Sequence, residues 1–249
     1  QYMLELHSLG LLVKWRPPAP TLNDIPKEVF VREPAGYWWP VHLSAQGLVV
    51  NTNMVKPADY PKSYHDLLNP KWKGKVGIRD PRASGGGGWH MMHIYAQPGL
   101  GIEYIKKFKK AVEPFILRGG SRRIRGAIAR GQFAIALSGR GEFLRDLPKG
   151  APVAFIVPKE GLAWTPSSMA LLKNARHPNA AKLAMTWFYE IENLQLWTDN
   201  GRPVPHPKIK VPVPEMSVTK YPLMKKIPEK WLGKPNFFFK EMEQVFGVR

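Results

Sequence analysis

Apolar positions along this chain change period repeatedly, and each change marks an element. Over residues 100–112, Ile105, Phe108 and Val112 recur at helical spacing while Lys106, Lys107, Lys109 and Lys110 take the other side. That pattern predicts an amphipathic helix with a solvated basic face. Residues 121–130 predict the next helix. Residues 178–190 predict another, with proline at its start and Ala180, Leu183, Ala184 and Trp187 facing inward. Short apolar runs at 47–50, 76–78, 133–137, 153–157 and 167–172 read as strands, and strands alternating with helices predict α/β packing. Residues 2–12 carry a helical pattern ending near Gly10, with nothing ahead of it to cap the helix. Residues 13–36 are proline-rich and irregular, and 203–214 alternates proline with other residues and reads as extended. No internal repeat is visible.

The order of signals from Asp66 to Gly88 describes a binding-site layout. Leu67 and Leu68 close a turn, Asn69-Pro70 stops it, Lys71-Trp72-Lys73-Gly74 turns the chain, and Val76-Gly77-Ile78 is a short strand. After Asp80-Pro81 comes Ser84 with four glycines, directly ahead of the helical WHMMHIYA. Glycines at a helix start leave backbone N–H groups unpaired and let a ligand come close, so the natural guest is an anion. A flexible glycine turn with Ser84 as a simple N-cap is the other reading. Gly119-Gly120-Ser121 repeats the arrangement beside Arg122, Arg123 and Arg125. Two helix N-termini aimed at one cleft make an anion-selective pocket, whereas a capped helix with a basic outer face does not.

Composition narrows the classes. At 249 residues the chain can bury a good core in one or two lobes. Lys plus Arg is 37 and Asp plus Glu is 19, so the net charge of +18 favours acidic partners. With no cysteine there is neither a disulfide nor a thiolate site. No apolar run approaches the roughly 18 residues that span a bilayer. The chain has no G-x-S-x-G, P-loop, H-E-x-x-H or evident carboxylate pair, which argues against an enzyme. Its basic residues are scattered through every segment, which argues against a nucleic-acid binder. His90 and His93 are three apart on one helix face, but with no nearby carboxylate or cysteine they are not assigned as metal ligands.

The words GYWWPVHLSAQGLVVNTNMV, PKSYHDLLNPKWKGKVGIRDPRASG, RGQFAIALSGRGEF, GAPVAFIVPKEG and SSMALLKNARHPNAAKLAMTWF stand in that order. Together they resemble the bacterial extracellular solute-binding proteins of ABC importers, and more narrowly the branch that includes the ferric-iron-binding proteins. The likeness runs from about residue 1 to about residue 205. It implies an α/β fold, a two-lobed periplasmic-binding-protein-like II clamp. Such a clamp captures a small solute and hands it to an ABC-transporter membrane permease. The implied protein is a monomer without catalysis, cofactor or nucleic acid, periplasmic or lipid-tethered outside the cell. The implied division is 1–43 as the remainder of lobe 1, 44–165 as lobe 2, 166–204 as the return to lobe 1, and 205–249 as a C-terminal extended segment and helices. Crossings are expected near 40–44, 164–166 and 201–205. In the likeness, QYMLELHSLGLL aligns with a segment that normally follows several strands and helices. The clamp is therefore expected to lack the N-terminal part of its first lobe.

One departure changes the expected ligand. After the strand FAIAL, the iron-binding relatives carry two adjacent tyrosines whose phenolates hold ferric ion. Here the loop is Ser138-Gly139-Arg140-Gly141-Glu142, with Gly141 and Glu142 where the phenolates would stand. Arg140 brings a planar fork suited to carboxylate or phosphate. Trp38, Trp39, Trp89 and Trp164 lie next to the crossings or the glycine run. Trp39 and Trp164 are assigned to the pocket, as flat surfaces for an organic ligand, and Trp89 to helix packing. The resemblance thus implies a small organic anion: a carboxylate, a phosphonate or phosphate ester, or an anionic chelate. The implied ligand-binding residues are Trp39, Ser84, Gly85, Gly86, Ser121, Arg140 and Trp164, with no catalytic or metal-ligating residue. Ferric iron or another metal is the alternative, and nucleic acid the third.

Overall fold

The computed structural model describes residues 2–26, 36–144, 150–212, 217, 220–232 and 235–248. Its elements in chain order are α1 (Tyr2–Ser8), β1 (Leu12–Val13), β2 (Trp38–Asn51), β3 (Val76–Arg79), α2 (Gly86–Ala96), α3 (Gly101–Val112), β4 (Phe115–Leu117) and α4 (Ser121–Ala129). There follow β5 (Ile135–Gly139), α5 (Arg140–Leu144), β6 (Val153–Ile156), β7 (Ala163–Leu172), α6 (Pro178–Phe188), α7 (Ile191–Asp199), α8 (Glu229–Leu232) and α9 (Asn236–Phe246). The chain forms two compact units. Unit 1 is Gln1–Ser44 with Thr165–Thr219, and unit 2 is Ala45–Trp164 with Lys220–Arg249.

In unit 1, β1 pairs antiparallel with the end of β7, Leu12 opposite Leu172. Its core gathers Leu22, Ile25, Val41, Phe188, Tyr189, Leu194 and Val204. The Tyr189 hydroxyl donates to the Pro40 carbonyl at 2.6 Å, which pays for burying a phenol. The sequence expectation for α6 fails here. Leu183 is 71% and Trp187 53% exposed, Ala180 and Ala184 are exposed too, and the face turned inward carries Met185 and Phe188. Both faces of this helix are apolar enough to be read as core, so periodicity could not choose between them. Phe188, packed edge-on to Tyr189 and Trp197, decides it.

In unit 2 the strands run in the order β6, β2, β5, β3, β4. β2 is antiparallel to β5 and β6, and β5, β3 and β4 are parallel to one another. Parallel neighbours need crossovers, which α2 with α3 and then α4 supply. From β3 the chain moves to one side, to β4. From β4 it steps back over β3 to β5. Right-handed crossovers in opposite directions put their helices on opposite faces of the sheet. The side chains agree. Ile124, Ala127 and Ile128 of α4 and Phe143 of α5 pack with Val49, Ala136 and Val153 on one face. α2 contacts the same two strands, β3 and β5, and takes the other face. Gly77 sits in mid-strand because a Cβ there would lie 2.5 Å from the Phe133 ring.

Candidate functional site

The connections that leave β3 and β5 part to opposite faces, since β3 leads to α2 while β5 runs straight into α5, which packs beside α4. Adjacent parallel strands whose connections diverge leave a crevice at their carboxyl ends, where ligands of open α/β sheets bind. The last pair in register is Ile78 with Leu137, so the crevice is bounded by Arg79 to Gly87 on one side and Ser138 to Arg140 on the other.

At α2 the N-cap position falls on Gly85, with φ 131°, and not on Ser84, which is exposed. Only glycine holds that backbone without strain. The next three glycines all have close neighbours, a side chain at Gly86 and backbone at Gly87 and Gly88. A Cβ on Gly86 would lie 2.1 Å from Arg79 Nη1, one on Gly87 2.6 Å from the Arg79 and Asp80 carbonyls, and one on Gly88 2.3 Å from the Ala83 carbonyl. The loop thus packs backbone against backbone and seats a guanidinium beside the first residue of the helix. The first N–H groups of any helix have no partner within it. Among the described residues, no backbone hydrogen bond outside helices and strands uses those of Gly85, Gly86 or Gly87.

Beside the loop, buried Asp80 and half-buried Arg82 form a two-pronged pair, Nε to Oδ1 at 2.8 Å and Nη2 to Oδ2 at 3.1 Å. Arg118 Nε stands 3.9 Å from the same carboxylate. Arg82 Nη1 also donates to the Gly247 and Val248 carbonyls, so the end of α9 anchors the loop. On the other side, Arg140 is wholly buried as the first residue of α5. Burial lowers its pKa to about 10, which the nearby Tyr221 phenol opposes, and the group stays charged at neutral pH. The neighbouring Ser138 side chain is wholly buried too, and its hydroxyl has no hydrogen-bond partner among the described residues.

Ser84, Gly85, Gly86 and Arg140 therefore share one edge of unit 2. Ser121 opens α4 at the end of the adjoining strand β4, half-buried, with Gly120 in the N-cap position. Trp164 belongs to the same unit but is buried. Its indole N–H donates to the Met224 carbonyl at 2.8 Å, and its own carbonyl meets His93 Nε2. His93 lies seven residues along α2, about 10 Å from the helix start. Trp39 is in unit 1, where its N–H donates to the Trp15 carbonyl at 2.8 Å and Arg16 stacks 5.0 Å from the ring. His90 is buried against Tyr64, Nε2 to Oη 2.7 Å, and burial depresses the pKa of His90 to about 3 and of His93 to about 4. Among the described residues no three His, Cys, Asp or Glu gather as a metal site. The Glu142 side chain lies outside the described residues. No role was assigned from sequence to Arg79, Arg82 or Tyr221, and Ser138 was named only as part of the Arg140 loop. A charged residue closing an apolar strand just ahead of Asp80-Pro81 was the available signal for Arg79.

Known proteins agree with this architecture. Solved structures of the same fold include the periplasmic binding protein P5PA, at TM-score 0.76 and 23% identity over 98% of this chain and 79% of that one. The periplasmic binding protein AfuA from Actinobacillus pleuropneumoniae, with fructose-6-phosphate bound, gives TM-score 0.75 and 22% identity over 96% and 76%. Iron-bound HitA from Pseudomonas aeruginosa gives 0.76 and 20% over 98% and 79%. The fold is that of the type II periplasmic binding proteins. Residues 9–222 match the bacterial extracellular solute-binding proteins, and the chain belongs to that family. An uncharacterised protein of Haemophilus influenzae is 27% identical over 180 residues, covering 68% of this chain, which spans about half the length of that relative.

Proposed function

We propose that the protein is the substrate-binding component of an ABC importer and that the carboxyl edge of β3 and β5 captures a small organic anion. The ligand is passed to a membrane permease with no bond made or broken, and the protein works as a monomer in the periplasm or tethered by lipid outside the cell. One observation carries the choice of anion: Arg140, a wholly buried cation, opens α5 in the loop where the resemblance puts the ligand. The helix starts at Gly85–Gly86 and at Ser121 add the positive ends of two helices on neighbouring strands.

The iron-bound relative supports a ferric-ion reading as well, and the loop with Gly141 and Glu142 in place of the two phenols, beside the cation Arg140, is what favours the anion over it. Titration with a weak ferric chelate is expected to give no red-orange phenolate band, and such a band would establish the iron reading instead. Mass spectrometry of the ligand released from the purified protein tests the anion reading directly. With that ligand, calorimetry is expected to show Arg140→Ala weakening binding by about 1.5–3 kcal/mol, roughly tenfold to a hundredfold. Lysine should restore part of the loss, and the exposed Lys107→Ala should change little. Equal small effects at both positions would place the site elsewhere.

A further inference from the structure

We infer that unit 1 carries a docking surface for an anionic lipid membrane, built from the outer face of α6 and the cations beside it. The inference is independent of the ligand reading above, since every residue it uses lies in unit 1. Ala180, Leu183, Ala184 and Trp187 recur at three- and four-residue spacing, so they form one stripe about 10 Å long. All four are exposed, Leu183 by 71% and Trp187 by 53%, and no described residue covers them. A leucine and a tryptophan left open on one helix face mark a place where an apolar medium is met.

The charges around the stripe select the medium. Residues 172–189 hold Lys173, Arg176 and Lys182 with no aspartate or glutamate, and residues 6–19 hold Lys14 and Arg16, again with no acid. Glu5 and Glu190 stand just outside the two stretches. The stretches are joined, because the Lys173 N–H donates to the Leu11 carbonyl at 2.8 Å, Leu12 pairs with Leu172, and Lys182 Nζ stands 6.0 Å from the Trp15 ring. Leu172 and Leu11, 49% and 37% exposed, add apolar surface beside those cations. Leucine and tryptophan rimmed by lysine and arginine, on a helix too short to span a bilayer, make a face that lies in the interface of an anionic membrane. Other occupants use half of it. A second copy seated on the same face about a two-fold axis would set these cations against their own counterparts. An apolar protein segment would cover Leu183 and leave the cations unmatched, and a nucleic acid would do the reverse.

The test uses the full chain and sedimentation with vesicles of phosphatidylcholine, alone or with about one-third phosphatidylglycerol. The wild-type protein is expected to bind the anionic vesicles at least about tenfold more tightly than the neutral ones and to lose most of that preference at high salt. Lys173→Gln with Arg176→Gln should weaken binding to the anionic vesicles about tenfold. Leu183→Ser with Trp187→Ser should weaken it by about as much through lost apolar contact, and the remaining binding should keep its salt dependence. Met54→Ser with Lys107→Gln, exposed residues of unit 2, should change it less than about twofold. Lipids brominated in their acyl chains should quench the tryptophan emission of the wild-type protein more than that of Trp187→Phe. Unfolding curves of the variants show that the fold is kept. Equal binding to both kinds of vesicle, or binding to neither, overturns the inference. So does undiminished binding by Leu183→Ser with Trp187→Ser, which would leave a bulk charge effect without a docking face. Self-association of the wild-type protein that the same double variant abolishes would assign the face to a second copy instead.

Discussion

Two adjacent glycines at the start of α2 face different obstacles, and the difference is measurable. A Cβ on Gly87 meets the carbonyls of Arg79 and Asp80, backbone at and just past the end of β3 that cannot easily retreat, whereas a Cβ on Gly86 meets the end of a flexible side chain. Gly87→Ala is therefore expected to lower stability by about 1–3 kcal/mol. Gly86→Ala should be near neutral, because alanine also favours the helix. Urea unfolding of the two variants checks this, and equal losses would contradict the packing described. The glycine run was legible in the sequence because four glycines before a helical stretch announce an open helix start. Which glycine yields to which neighbour was not, since that depends on Arg79, whose approach no local pattern encodes. Arg140 was legible only through its place in a family loop. Its burial follows from β5 passing into α5 without an intervening loop, a tertiary fact.

As an element, α2 carries two buried imidazoles, and they tie its stability to pH. His90 and His93 have folded pKa values depressed from 6.5 to about 3 and about 4, chiefly by burial. The unfolded chain takes up protons on these groups below pH 6.5 while the folded chain does not. Their contribution is thus fully present above pH 6.5 and is lost as pH falls toward 4 and 3. Each group costs up to about 1.4 kcal/mol per pH unit across that window. Urea unfolding between pH 7 and 4.5 should show a falling midpoint, and His90→Gln should flatten that fall by about one group's share. A pH-independent midpoint would show that these rings are open to water. α2, α3 and α4 were legible because glycines and an apolar stripe mark their boundaries. The hydrophobic pattern misjudged α6, where two apolar faces compete and only the surrounding unit chooses. It also offered a strand at 47–50 where β2 runs over Trp38–Asn51, although Val41-His42-Leu43-Ser44-Ala45 alternates in both polarity and burial and was the available signal for the longer strand.

At the scale of the whole molecule, the +18 net charge invites a polyanion, while the crevice calls for one small ligand. The two separate by salt. Polyanion binding through several phosphates falls about 10³-fold or more between 50 and 200 mM salt, whereas binding of a single small anion in a partly buried site should fall less than about tenfold. A steep slope with the released ligand would count against a built site. The α/β class was legible because the alternation of strands and helices is a local property summed along the chain. The crevice was not, because it is set by strand order, which depends on β4 stepping back over β3. The tie from Arg82 to the Gly247 and Val248 carbonyls has a temporal consequence. It joins residues 165 and 166 apart, so the glycine loop receives its last support only when the end of α9 has been made. Contacts of such separation form late in folding, after their loop-closure entropy has been met. A chain still emerging during synthesis therefore has most of its strands and helices before it has a finished glycine loop. If the proposed site is the true one, chains released short of α9 are expected to bind no ligand even where their secondary structure is native by circular dichroism, so that competence for cargo would wait on the docking of the last helix.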